Sequence, residues 1–514
     1  MYTHELLNLL KTFTEKELMW FGKFLNSPYF NSRKRIIELF KVLKGYYPEF
    51  NAKSLTKENI FKRIYGSSSY NDSTFRNLMS DLLKLALQFL KMEGIEKNEV
   101  QSSFYLTSEL ILRGNYSLFR NVMMQSDKIV ENEHKVDSDY FFNKYRILTD
   151  TFYINLLTRK ILKKEHVVIE SEKIINGIIC ILSYFIVESI RHYDNLLNYS
   201  RTYNIKKNID IISHFLEIFD FEKLITYIRE NSNQSSPVVE IYYNLLKAFA
   251  NFEDEKFYEE YKRSILSNTE LLGINDNYFL FTRLMDYNVI KKTSGISTNI
   301  NVEAELFEIY DIFLKRELYK TDTNHYLAFD IYRNVLLNCI SLKKLDYMEK
   351  FIEDNSKKLL PNHIQSIENY SYAMLYFEKK LYNKALSCIN KIKFDQFVYK
   401  LDMKNLQLKI NYELGHFESA ISIIDTYKHF LKNNTLLSEN RRIMHSHFLN
   451  HTNQLIHFRI GSQKSNLSYI EDRIEKSKTV FDKVWLQDKI KELSKLELGK
   501  RADKKNTRKM SFSG

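Results

Sequence analysis

Apolar residues in this chain recur with the 3.6-residue period of an amphipathic helix throughout. In residues 1–93 they mark out a module of about five helices. Thr14-Glu15-Lys16-Glu17 is a capping box that opens a helix with Leu18, Phe21 and Leu25 on one face, and Asn26-Ser27-Pro28 stops it. A second helix is predicted from about Ser32, with Ile36, Leu39, Phe40 and Leu43 apolar, ending at Gly45 and Pro48. A third runs from Thr56 through Ile60, Phe61 and Ile64 to Gly66. Asn71 or Asp72 caps a long helix carrying Phe75, Leu78, Met79, Leu82, Leu85 and Phe89, and Gly94 closes the module. From about 100 to 300 the pattern predicts long amphipathic helices. Breaks fall at Arg113-Gly114-Asn115-Tyr116, at Ser232–Pro237 and at Lys291–Asn299, the last two being the expected subdomain boundaries. The Tyr-, Phe-, Ile- and Leu-rich run from Asp139 to Arg159 is expected to bury wide aromatic faces between paired helices.

Beyond Asn299 a repeat is visible at a period of 35 residues. Tyr347, Tyr382 and Phe417 share one column. Ile340/Leu375/Ile410, Leu342/Phe377/Tyr412 and Phe351/Leu386/Ile421 form apolar columns, which reads as helix, tight turn, helix. Of the ten alanines in the chain, Ala373, Ala385 and Ala420 fall where two helices cross closely, although Lys350 and Leu408 depart from the small-residue pattern. The windows YFEKKLYNKALSCI and NYELGHFESAISII resemble the tetratricopeptide repeat, over about 335–430. That resemblance implies a TPR-like α-solenoid of helical hairpins and a role in protein binding. The wording of residues 1–93 (KFLNSPYFN, YYPEF, LTKENIFKRIYG, FRNLMSDLLKLALQFL) resembles an N-terminal region that recurs in uncharacterised bacterial proteins, and it implies no activity. The expected organisation is therefore all-α: an N-terminal basic module (1–93), degenerate hairpins (94–298), TPR-like repeats and C-terminal helices (299–498) and a disordered basic tail (499–514).

Composition narrows the class further. With 12 Gly and 4 Pro in 514 residues, where average usage gives roughly 36 and 26, the turn-building residues of sandwiches, barrels and doubly wound folds are nearly missing. The start has acids in its first turns and no basic region leading into an apolar run, unlike a signal peptide. The longest uncharged stretch, Ile174 to Val187, is shorter than the ~20 residues that span a bilayer, and it reads as a central helix buried on all sides. Cys180, Cys339 and Cys388 sit in apolar helical patterns without CxxC spacing, as buried thiols of a cytoplasmic protein do.

The net charge of +12 sits at the two ends. Residues 1–93 carry +6 and residues 499–514 carry +5, so any electrostatic partner is a local matter. Arg33, Lys34, Arg35, Lys62, Arg63, Arg76 and Lys84, interleaved with Tyr29, Tyr46, Tyr47 and Tyr65, would make a phosphate-contacting face if they converged. Phosphate-cradling loops and nucleophile elbows are missing from the sequence, so neither an enzyme nor a cofactor is expected. His447 and His451 have metal-ligand spacing among His445, His447, His451 and His457, but Phe448 stands where a zinc protease holds its general base. The cluster reads as a helix-to-helix contact and no metal is expected. Glu188 and His192 read as a satisfied polar pair. The leading expectation is a non-enzymatic scaffold that holds a protein or peptide, and no membrane, in the groove of its repeats. Tyr376, Lys379, Asn411 and Glu413 would face that groove, and Tyr347, Tyr382, Ala385, Phe417 and Ala420 would pack the hairpins. The alternative is a regulator that binds nucleic acid through the basic module.

Overall fold

The computed structural model describes residues 5–510, apart from 51, 67, 133–134, 159–162, 203–217, 232–236, 295, 393–396, 436, 462–466 and 478. The fold is all-α. Among the described residues no strand is present, and one isolated bridge joins Val136 to Leu272. The chain divides into two compact units: unit 1 is 1–134 with 146–174, and unit 2 is 135–145 with 175–514.

Unit 1 begins with α1 (Glu5–Lys11), α2 (Glu15–Asn26), α3 (Lys34–Lys44), α4 (Lys57–Tyr65) and α5 (Asp72–Lys97). The capping box forms as written: Thr14 Oγ1 accepts from the Glu17 amide at 3.2 Å, and the Glu17 carboxylate accepts from the Thr14 amide at 2.8 Å. Asn71 is the cap of α5, accepting from the Thr74 amide at 2.9 Å. These five helices enclose a core of their own, in which Phe21 stands edge-on to Phe40 at 5.0 Å and against Phe89 at 5.4 Å. Gly94 does not end α5, which runs on to Lys97; a helical glycine costs only about 1 kcal/mol, and Asn98 caps the helix that follows. Unit 1 continues with α6 (Glu99–Leu112) and α7 (Tyr116–Asn132), and α8 (Ser138–Leu157) and α9 (Lys164–Thr202) each run from one unit into the other.

Unit 2 continues with α10 (Phe221–Asn231), α11 (Pro237–Ala250), α12 (Glu255–Asn268), α13 (Ile274–Ser294), α14 (Val302–Lys315), α15 (Phe329–Ser341), α16 (Leu345–Asn355), α17 (Ile364–Glu378), α18 (Tyr382–Ile389), α19 (Phe397–Glu413), α20 (Phe417–Asn433), α21 (Glu439–Arg459), α22 (Leu467–Lys476) and α23 (Lys483–Met510). One hydrophobic core extends from Phe141 to Leu493, so the predicted break at 291–299 is the last turn of α13 and the loop after it, Gly295 being outside the described residues, between helices sharing that core. The predicted break at 232–237 lies outside the described residues except for Pro237, the first residue of α11. Where an irregular tail is expected, α23 is helical through Met510; 511–514 lie outside the described residues.

From α15 to α21 each helix packs against its neighbours in the chain, and α15 against α17 and α17 against α19 as well. A single turn recurs in this region. At the end of α19 the His416 amide donates to the Asn411 carbonyl at 2.9 Å and Gly415 donates to Tyr412 at 3.2 Å, the paired bonds of a Schellman motif. Lys344 and Leu381 make the equivalent bonds to Cys339 and Tyr376 at 2.9 and 2.8 Å. Leu318 and Asn115 do the same after α14 and α6, so Arg113-Gly114-Asn115-Tyr116 does share the turn of the repeat region. Gly114 and Gly415 supply the left-handed residue at φ 65° and 74°, whereas Lys343 and Lys380 adopt it at 55° and 59°. A side chain there costs about 1–2 kcal/mol, which the closed turn outweighs.

These bonds correct the register of the first window. Leu345, not Tyr347, stands in the column of Tyr382 and Phe417, two residues from the 35-residue alignment. Tyr382 packs back across its turn on Phe377 and Phe417 on Tyr412, at 5.5 and 6.2 Å, but Tyr347 packs edge-on against Phe307 of α14 at 4.9 Å. The shift places Met348, not Lys350, in the crossing column of Ala385 and Ala420, and Leu336 in that of Ala373 and Leu408. All six are fully buried.

Candidate functional site

The four expected groove residues do not share an open surface. Asn411 is 5% exposed and its amide donates to Gln407 of its own helix at 2.8 Å. Glu413 is buried against α23, its carboxylate 2.7 Å from Lys489 Nζ and accepting from Trp485 Nε1 at 3.1 Å. Glu413 serves packing, because α21 and α23 reach the end of α19 that the sequence leaves open, Arg459 donating to the Tyr412 carbonyl at 3.4 Å. Lys379 is ion-paired to Glu349 of α16 at 2.6 Å. Tyr376 is half-buried, stacked on Tyr372 at 6.0 Å with Lys384 over its ring, and is the one of the four with an aromatic face near solvent.

The basic residues of the N-terminal module converge only in part, and acids accompany most of them. Arg33 pairs with Asp81, which also meets Lys84 at 3.6 Å. Arg35 pairs with Glu38 at 2.7 Å, donates to the Ile64 carbonyl and lies over Tyr65, while Arg76 pairs with Asp72 at 2.9 Å. Arg63 lies over Tyr46. Lys34, Lys62 and Arg63 are exposed and pair with no carboxylate among the described residues.

On α21 the histidines have separate partners. His445 is buried, stacked on Phe481 at 4.8 Å with Nδ1 3.0 Å from the Tyr427 hydroxyl, and burial pushes its pKa down to about 4. His447 Nδ1 lies 2.9 Å from the Thr479 carbonyl, and His451 Nδ1 lies 3.4 Å from Gln454. Among the described residues no three His, Cys, Asp or Glu side chains gather to hold a metal. No disulfide links the cysteines; burial pushes the Cys339 thiol up to about 12, leaving it unreactive.

A further constellation of charge in unit 2 joins residues far apart in the chain, of which the sequence reading singled out only Glu188 and His192. Glu188, Arg191, Asp194 and Asn198 recur along one face of α9, and Asp276 and Arg283 along one face of α13. Arg191 is ion-paired to Asp276 and, at 3.0 Å, to Glu188; the buried Tyr242 hydroxyl of α11 donates to Asp276. Arg283 pairs with Asp194 at 2.8 Å and with Asp286 at 2.6 Å. Glu188 also meets His192, at 3.4 Å, so that expected pair is one edge of a larger network. Burial raises the Asp276 carboxyl to about 6 against the pull of Arg191 and Tyr242, and burial likewise raises the neighbouring Asp137. Burial opposes the charge on Arg191 too, but Tyr242, Asp276 and Glu188 outweigh it and hold the guanidinium charged. Chemically this is a clamp between helices held by ion pairs, in which Asp276 Oδ2 and Arg283 Nε are buried with no hydrogen-bond partner among the described residues. The signal that would have found it is charge at three- and seven-residue spacing inside otherwise apolar helices.

The fold and its polar groups thus define an all-α protein of helical hairpins closed by a recurrent turn. Comparison with protein-family models, with curated proteins and with solved structures finds no match for the chain.

Proposed function

We propose that the protein is a non-enzymatic scaffold whose helical hairpins form a TPR-like superhelix and hold a protein or peptide in its groove. The observation that carries this reading is the recurrence of one bonded turn, with equivalent buried crossings at Met348, Ala385 and Ala420, through consecutive hairpins. Hairpins that each bury a face only against their neighbours leave a continuous outer surface for a ligand. Tyr372 and Tyr376, stacked on α17, are the anchor of that surface, since aromatic residues carry a large share of binding energy at interfaces. The test is capture of a cytoplasmic protein by the full chain, repeated with purified components, beside Tyr372→Ala/Tyr376→Ala. Loss of a stoichiometric complex in the variant is expected, and an equally strong complex would remove the groove from the reading.

A nucleic-acid regulator is the second reading, favoured by the exposed Lys34, Lys62 and Arg63. With Arg33, Arg35, Arg76 and Lys84 matched by acids, few cations are left for phosphates. Retention on duplex DNA at about 150 mM salt, lost on Lys34→Glu/Lys62→Glu/Arg63→Glu, would favour the regulator over the scaffold; no retention is expected.

A further inference from the structure

In unit 1 a polar network lies inward where α7, α8 and α9 meet, beside the buried Phe119 and Ile154. Arg120 of α7 donates to Asn155 Oδ1 at 3.1 Å and to Thr158 Oγ1 at 2.5 Å, Asn155 donates to Glu170 Oε1 at 3.0 Å, and Lys173 reaches the same oxygen at 2.7 Å. Glu170 is only 8% exposed, and its Oε2 has no partner among the described residues. The outward groups are aliphatic. Leu156 and Leu157 at the end of α8, and Val167, Val168 and Ile174 on α9, are exposed. At 100° per residue the last three share a sector of about 120°, which Ile175 and Ile178 continue along the same helix. A water-facing stripe of this kind above a buried polar network marks a surface that something else covers.

Charge identifies the occupant. Lys163 and Lys164 stand exposed at the start of α9, and four of residues 159–164 are Lys or Arg. Tyr153, exposed one turn up α8 from Leu156 and Leu157, is an aromatic of the type found at membrane–water interfaces. We propose that this end of unit 1 rests on an anionic lipid bilayer, with Leu156, Leu157, Val167 and Val168 in the boundary between headgroups and acyl chains and Lys163 and Lys164 against the lipid phosphates. The groups that would specify a protein partner, Asn155, Thr158 and Glu170, are turned inward, whereas a bilayer requires only aliphatic tips flanked by cations. The contact is peripheral. Within Lys164–Tyr199 an 18-residue window with a mean hydropathy of 1.7 is apolar enough in composition to cross a membrane, but Arg191 and Asp194 commit the later turns of the helix to ion pairs within the protein. The shortness of the uncharged run, which argued against a spanning segment, does not bear on lying at a surface.

The test is cosedimentation of the full chain with phosphatidylcholine vesicles with and without phosphatidylserine. Binding to the serine-containing vesicles alone is expected. Lys163→Gln/Lys164→Gln should weaken it roughly 30-fold, from two surface cations, and Leu156→Ser/Leu157→Ser about tenfold or more. Val484→Ser, at an exposed apolar position of unit 2, should leave it unchanged. Because all these positions are exposed, circular dichroism of the variants should superimpose on that of the parent. No sedimentation with anionic vesicles at low salt, equal binding to neutral vesicles, or unchanged binding of both unit 1 variants would overturn the proposal. A dimer in analytical ultracentrifugation, dissolved by the same substitutions and without vesicle binding, would overturn it in favour of an interface between copies.

Discussion

The two ends of α9 are built from similar residues and meet opposite fates. In the first, Val167, Val168, Ile174, Ile175 and Ile178 face water, and in the second Ile179, Ile186, Val187 and Ile190 are buried. Hydrophobicity does not separate them, since the sequence reads the run from Ile174 to Val187 as one buried helix. What differs is the polar company. Around the first end Arg120, Asn155, Glu170 and Lys173 take the inward side, and around the second the ion pairs of Arg191 and Asp194 orient an apolar face against α11 and α13. Charged groups that need partners fix a helix's rotation more strictly than apolar groups, which accept any dry surface.

The largest effect expected from breaking this contrast is at Arg283. Arg283→Ala removes the cation paired at 2.8 Å with the buried Asp194, and full-chain denaturation in urea should show a loss of about 3–5 kcal/mol, largely recovered in Arg283→Met/Asp194→Leu. Ile186→Ala should cost about 2–5 kcal/mol by opening a cavity at a fully buried site. Overpacking the hairpins comes next. Ala385→Phe or Ala420→Phe should cost about 1–3 kcal/mol and expose adjacent hairpins to protease while the 1–93 module stays resistant; full resistance would contradict the assigned crossings.

Protonation gives effects of about 2 kcal/mol with opposite signs. His445 titrates near 4 in the folded protein and near 6.5 unfolded, so the unfolded chain binds more protons between those values and stability falls as pH drops from 7 to 5. Asp276 titrates near 6 folded and near 3.8 unfolded, so its contribution falls as pH rises across that window. Melting curves should therefore show His445→Phe stable to lower pH than the parent, and Asp276→Asn with a steeper loss on acidification. The smallest effect sharpens the comparison most: Val168→Ser, on the exposed stripe of α9, should change stability by no more than about 0.5 kcal/mol, against the loss at Ile186 on the same helix.

Much of this molecule was legible in the sequence. The caps at Thr14, Thr56 and Asn71, the apolar faces of α2 to α5, the paired helices around 345, 382 and 417 and the all-α class follow from periodicity and local hydrogen bonding, which act within a few residues. The two-residue shift of the first hairpin was hidden because Tyr347 supplied an aromatic at the expected spacing, while the turn was closed by backbone bonds that lysine at 343 tolerates.

The candidate site was far less legible, for a related reason. Whether Glu413 faces a groove or Lys489, and whether Arg33 faces a phosphate or Asp81, depends on a residue brought alongside by folding. Sequence by itself determined where helices form and which residues are able to be buried, because those follow from short-range geometry and transfer out of water. Only the tertiary structure decided which apolar faces stay exposed and which charges are matched, because an ion pair 85 residues apart in the chain, Arg191 with Asp276, exists only once the helices have packed.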